Sequence, residues 1–282
     1  MQMRLPGEEP DDVPDPRPRW RPAAYSPAEL VHGLVRGGAA GPVTSHDRRN
    51  VRGKIERLVA GDPDLQFGIR GLGVMTADEV LALMARTAGF DPDPLQLDGP
   101  TAIDPARVLA ACQRAGERLA LAGARGERVL LATGHPAGLI VLYMAVGALL
   151  EAGGASLLRP LLGFEWREQG RHREVRYLNG VAVLTDRGST RHTHQPVPME
   201  WMLGEVDPDL VFADHGFAGA AIEAGIDTIS IADVNDPAPV VARHLGMTEH
   251  VIVMDDNVQP EDYWPCYQVL AGQFQPAVTG PR

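Results

Sequence analysis

The sequence predicts an α/β protein: an open, largely parallel, Rossmann-like sheet preceded by a mostly helical N-terminal part. Three observations carry this. Helix start and stop signals crowd residues 26–121. From residue 128 onward, short apolar runs alternate with helical stretches, as expected for parallel strands joined by crossover helices. The apolar runs end in Asp, Asn, His, Thr or Gly, the residue types that gather where such a sheet binds ligands.

The helical part is read from its caps. Ser26, Pro27 and Glu29 form a capping box with proline in the first turn, and Gly37-Gly38 stops that helix. A second helix covers "SHDRRNVRGKIERLVAG" and ends before Asp62-Pro63. A third starts at the Thr76/Glu79 box and ends at Gly89, and a fourth starts at Asp104-Pro105. In the α/β part, "RVLLATGH" is a strand and "HPAGLIVLYMAVGALLEAGG" a helix. "ASLLRPL" is a short strand, and "REVRYLNGVAVLTD" is a hairpin turning at Asn179-Gly180. "MEWMLGEV" is helical, followed by strand "PDLVFADHG", helix "FAGAAIEAG", strand "DTISIADVND", helix "PAPVVARHLG" and strand "EHVIVMDDN". Three segments follow: an extended or disordered tail over 1–25, a helical part over 26–121, and an α/β domain over 122–282 that carries the site.

Of 282 residues, 44% are apolar and 22% charged, enough for a sizeable core. The net charge of −11 argues against nucleic acid and anionic membrane as partners. The Pro- and Asp-rich N-terminus lacks an apolar signal core, and no uncharged apolar run reaches about 18 residues, so the expected location is the cytoplasm. Cys112 and Cys266 fit no CxxC pattern and are expected to be reduced thiols. A homo-oligomer stays open.

Parallel strands would place Thr133-Gly134-His135, Asp214-His215, Asp233-Val234-Asn235-Asp236 and Asp255-Asp256-Asn257 along one edge. Asp and Asn also cap helices, but a cap needs one such residue and several of these sites offer two or three. A crowd of carboxylates is electrostatically costly without a cation. Oxygen donors suit Mg²⁺ or Mn²⁺. Asp233, Asn235 and Asp236 are therefore read as metal ligands or their supports. Three further stretches join them. Gly134 and the helix behind it suit an anion, with His135 as a proton donor or phosphate contact. His192 and His194 form an HxH pair in "STRHTHQP", fit for a metal or a phosphate, although exposed loop histidines would read the same. Arg48, Arg49, Arg52 and Lys54 make a basic helix face in an acidic chain. His46, Asn50 and Lys54 fall in one row of that helix. A solvated helix face is the plainer account of the basic run.

"HDRRNVRGKIERLVAGDPDLQFGI", "LLATGHPAGL", "RHTHQPVPME", "DHGFAGAAIEAGIDTISIADVNDPAPVVA" and "MDDN" together resemble a bacterial phosphatase family. More remotely, the chain is similar to the metal-dependent damage-control phosphatases. There an Asp-Asn pair before Ala-Gly, and a later Asn-Asp segment, hold the metal, and a helical part precedes the α/β domain. The resemblance implies that Asp214 in "DHGFAG" is a metal ligand, with His215 standing where that family has Asn, and that "ADVND" supplies the later ligands.

The expected activity is a metal-dependent phosphatase acting on a phosphate monoester of a small metabolite. Arg48, Arg49, Lys54 and the amides around Gly134 would hold phosphoryl oxygens, helped by His46, Asn50, His192 and His194. His135 or His215 would protonate the leaving alkoxide. An aspartyl-phosphate route through Asp214 is a variant of the same chemistry. The alternatives are a phosphoryl or sugar-phosphate transferase and a metabolite-binding sensor without catalysis.

Overall fold

The computed structural model describes residues 20–274; most of the tail expected over 1–25 lies outside them. Helices α1 (Pro27–Gly37), α2 (Arg48–Val59), α3 (Pro63–Gln66), α4 (Ala77–Ala88) and α5 (Pro105–Arg125) come first. The capping boxes at Ser26/Glu29 and Thr76/Glu79 are both formed. Residues 20–25 run along the C-terminal helix α10 (Trp264–Ala271). There Trp20 packs on Tyr267 with ring centroids 5.3 Å apart, Tyr25 packs on Trp264, and the Ala23 N–H donates to Gln268.

The sheet is built from β1 (Arg128–Thr133), β2 (Ser156–Leu157), β3 (Glu165–Glu168), β4 (Arg171–Leu178), β5 (Val181–Asp186), β6 (Ser189–Thr190), β7 (Leu210–Asp214), β8 (Thr228–Ala232) and β9 (His250–Val253). Its order is β3-β4-β5-β1-β7-β8-β9, with β2 beside β1 and β6 beside β5. Strands β1, β2, β5, β7, β8 and β9 pair in parallel, while β3, β4 and β6 are attached antiparallel. The fold is thus mixed α/β with a mostly parallel sheet. Asn179 and Gly180 both take positive φ at the β4–β5 turn, as a two-residue hairpin of this type requires. The sequence reading left out α3, β6 and two larger elements, β3 and α10. β3 is half exposed and polar, so it shows no apolar run. α10 carries Pro265 in its first turn, and it is only eight residues long.

Each face of the sheet has its own core. Val129 and Leu131 point into the larger one, with α1, α2, α4, α5 and α10; Leu130 and Ala132 point into a second one, with Phe217 and with Met199 and Met202 of α7 (Val197–Glu205). This is the period-two alternation of a strand buried on both faces. Helix α6 (Pro136–Gly153) is long and apolar enough, by composition alone, to cross a membrane, which the sequence reading did not allow for. In the fold it packs on β1, β5, α5 and α10, the place of a core helix. Cys112 and Cys266 are both buried and free. Because the parallel strands share a direction, their carboxyl ends meet at one edge, and the site lies there.

Candidate active site

The edge is built around Asp214, the last residue of β7, and His215, the first of α8 (His215–Glu223). Asp214 occupies the N-cap position of α8, and Asp236 that of α9 (Pro237–His244). Neither side chain makes a capping hydrogen bond. Both carboxylates are buried and turned to another use.

Asp214 Oδ1 accepts from the Gly134 N–H at 2.7 Å, the His135 N–H at 3.1 Å and His215 Nδ1 at 2.8 Å. Burial works against the Asp214 anion, but the hydrogen bond and charge of His215 outweigh it, and its pKa lies below the usual carboxylate value. The Tyr143 hydroxyl is also turned toward this carboxylate; burial and the Asp214 charge push the phenol pKa well up. With Nδ1 tied to Asp214, His215 presents Nε2 to Asp236 Oδ2 at 3.4 Å and Asp256 Oδ2 at 3.6 Å. Burial opposes a charge on His215, but the three carboxylates around it prevail and raise its pKa to about 9. His215 holds φ 48°, an uncommon backbone for a non-glycine residue. That conformation turns the chain sharply from β7 into α8 and leaves the ring over the edge.

Asp256 was not assigned from the sequence, although "MDDN" closes the last strand. Of two adjacent aspartates, alternation lets one face the site. Asp255 is the other: it accepts from the Ser45 hydroxyl at 2.9 Å and the Asn257 N–H at 3.0 Å, pinning the segment before α2. Asp256 turns inward, 3.2 Å from His135 Nδ1. Among the described residues its Oδ2 has no hydrogen-bond partner, and it is buried. Burial and the neighbouring Asp233 push its pKa well above the carboxylate range. Asp233 is 3.2 Å from His46 Nε2 and accepts from the Asp256 N–H. Burial opposes charge on His46, but Asp233 outweighs it and raises its pKa. Asn235 donates to Asn50 Oδ1 at 2.8 Å.

The HxH segment covers this floor. His135 stacks on His192 at 4.6 Å between centroids, and His194 stacks on His215 at 5.0 Å. Burial and the adjoining rings lower the His192 pKa to about 4 and lower that of His194. The segment is held down by the Thr193 N–H, which donates to the Gly134 carbonyl at 2.9 Å. A Cβ at Gly134 would come within 2.5 Å of the Thr193 carbonyl oxygen. His194 also reaches the Asp64 carbonyl, and Phe67 packs against both His194 and His215; neither Asp64 nor Phe67 carried a sequence signal.

Three expectations need correction. The Gly134 and His135 amides are engaged by Asp214, because a fully buried carboxylate must find donors, so they do not form a phosphate cradle. Arg48 is buried away from the edge, where it donates to the Asp91 carbonyl and Gln96 and lies over the Phe90 ring. Arg49 sits in solvent with an exposed partner, Asp98. The row His46, Asn50 and Lys54 instead faces the site: His46 meets Asp233, Asn50 meets Asn235, and the charge of Lys54 is felt at His194. Arg48→Ala is therefore expected to lower stability by about 1.5–3 kcal/mol, the scale of lost hydrogen bonds to a charged group, with KM unchanged. Arg49→Ala should change stability by no more than about 0.5 kcal/mol. Urea unfolding and steady-state kinetics on both variants check this; a raised KM for Arg49→Ala would return that residue to the site.

The site also passes a test for a divalent cation. Ligand atoms of His215, Asp236 and Asp256 lie within 4.8 Å of one another, as do those of His192, His194 and His215. One oxygen of the first group, Asp256 Oδ2, is buried and unpartnered. Carboxylate oxygens with one imidazole, oriented from behind by the Asp214 carboxylate, form a donor set suited to a divalent cation.

A mostly parallel sheet with buried carboxylates and histidines converging at its carboxyl edge is an α/β protein whose site lies where such sheets bind ligands. The family comparison agrees: a family model described as Phosphatase matches residues 25–274. The chain belongs to this phosphatase family. It is also 37% identical over 251 residues to Phosphatase SCO2771 of Streptomyces coelicolor, a match that covers 86% of this chain and 94% of that one.

Proposed function

We propose that this phosphatase is metal-dependent and hydrolyses the phosphate monoester of a small metabolite in the cytoplasm, on a sheet that serves as a Rossmann-like platform. One observation supports this most: Asp214, Asp236 and Asp256, all buried, converge on His215, the buried Asp233 stands beside Asp256, and among the described residues an Asp256 oxygen has no hydrogen-bond partner. Four adjacent buried carboxylates repel one another, and a divalent cation relieves that repulsion.

Asp236, Asp256 and His215 Nε2 would hold the cation, with Asp233 and Asn235 bordering it. When bound, the cation polarises the phosphoryl group and activates water. The remaining work falls to the chain's own groups. Asp214 fixes the ring of His215 and so aims Nε2. His46 and Lys54 bring positive charge to the phosphoryl oxygens from the α2 side. His192 and His194 close the site from above and exclude water from the floor. His135, between Asp256 and His192, stands where it can give a proton to the leaving alkoxide. Because an imidazole joins the carboxylates, Mn²⁺ is expected to support turnover better than Mg²⁺.

The test is a panel of phosphorylated metabolites incubated with chelator-treated protein, then with Mg²⁺, Mn²⁺, Co²⁺ or Zn²⁺, reading released inorganic phosphate. Release that needs a divalent ion and no acceptor is the expected result. Undiminished release in excess chelator would remove the metal from the reading. Release only with an added acceptor would mean a transferase.

A further inference from the structure

Away from the acidic edge, a depression of about 380 Å³ opens between α4, α5, the end of α9 and the edge strand β9. Its wall is unusual for a chain of net charge −11. Arg86, Arg107, Arg114 and Arg243 all line it, and no carboxylate does. On α5, Arg107 and Arg114 are seven residues apart, with Ala110 and Ala111 between them on the same face. The two alanines make the hollow and the arginines its two rims. Leu83, Val251 and Val253 complete an apolar floor.

These cations are poorly compensated within the protein. Arg86 and Arg114 have no ion pair or side-chain hydrogen bond among the described residues. Arg243 is half-buried and, among the described residues, donates only to the neutral Thr87 hydroxyl, at 3.0 Å. Burial, together with the charge of Arg114, disfavours its own. Arg107 alone has an acidic neighbour, Asp104, at 3.4 Å. The carbonyl ends of α4 and α9 attract Arg86 and Arg243, and Arg107 donates to the Arg86 carbonyl, but none of this accounts for Arg114, farther along α5. Four cations around one cavity with a single carboxylate, Asp104, among their partners are a standing repulsion, which a multivalent anion would remove.

We propose that this groove is a binding site for a small organic polyphosphate of nucleotide size, separate from the catalytic edge. The volume falls within the usual span of small-molecule sites, about 300–1,000 Å³. Guanidinium groups grip phosphate oxygens in pairs and also stack on flat rings. The alanine and valine floor suits a base, for which inorganic phosphate alone has no use. The groove adjoins the site through one short helix: Asp236 occupies the N-cap position of α9 and Arg243 lies in its last turn.

The experiment is titration calorimetry with the β,γ-imido analogue of adenosine triphosphate, which resists hydrolysis. Low salt keeps the electrostatic contribution unscreened, and a chelator keeps divalent ions from the acidic edge. One analogue per chain is expected. Arg114→Gln/Arg243→Gln should weaken binding at least tenfold, and His192→Ala, at the acidic edge, should leave it unchanged. Inorganic tripolyphosphate should bind more weakly than the nucleotide analogue. If the double variant fails to fold, the exposed Arg86→Gln and Arg107→Gln variants give the same reading through a several-fold loss. No binding by the unaltered chain, or equal binding by the arginine variants, would overturn the site. Tripolyphosphate binding as tightly as the analogue would overturn its assignment to a nucleotide-sized ligand.

Discussion

Asp256→Asn is expected to lower kcat by about 10³-fold at saturating metal, which corresponds to about 4 kcal/mol of lost charge stabilisation. The substitution keeps the volume and removes one negative charge. Among the described residues Asp256 Oδ2, like Asp214 Oδ2, is buried without a hydrogen-bond partner, and it lies 3.6 Å from His215 Nε2. The charge it loses is one that burial and Asp233 already disfavour. Removing it should therefore leave the melting temperature equal or higher, since a buried like charge disappears. Bound metal, counted by elemental analysis after dialysis, should fall with the activity. Near-native turnover together with unchanged metal content would take Asp256 out of the site. Loss of folding would instead make this carboxylate a structural group.

Gly216→Ala is expected to cost about 100-fold in kcat/KM, because a displacement near 1 Å at a catalytic constellation has that effect. Gly216 lies in the first turn of α8, directly under the HxH segment. A Cβ there would overlap the His194 carbonyl oxygen and come within 2.5 Å of the Gln195 carbonyl carbon. These are backbone atoms, so no rotamer change relieves the clash. The segment must rise, drawing His192 and His194 off His215, from which their ring centroids are 4.8 and 5.0 Å away. The control is Gly53→Ala in α2, where nothing lies within 4 Å of the added carbon. It should leave turnover unchanged and stabilise the fold by about 0.4–1 kcal/mol, the usual gain of alanine over glycine in a helix. Equal kinetics for the two variants would mean that the HxH segment is not part of the site.

The sequence by itself determined the element types and the direction of the sheet. Capping boxes act within four residues, and the two at Ser26/Glu29 and Thr76/Glu79 form as read. Short apolar runs alternating with helices require parallel strands, so the polar groups after Leu210–Asp214, Thr228–Ala232 and His250–Val253 had to fall along one edge. What the sequence left open was the direction of each side chain on arrival. Asp255 and Asp256 are neighbours in the chain, yet one pins Ser45 and the other faces His215. Arg48 and Lys54 read alike as cations of one helix, but Arg48 is turned onto Phe90 and the 91–96 loop. The Gly134 amide reads as free for an anion until Asp214, eighty residues away, accepts from it. These outcomes depend on contacts between segments far apart in the chain. They are set by the need of each buried charge to find a partner among whatever the fold brings near, which only the tertiary structure supplies.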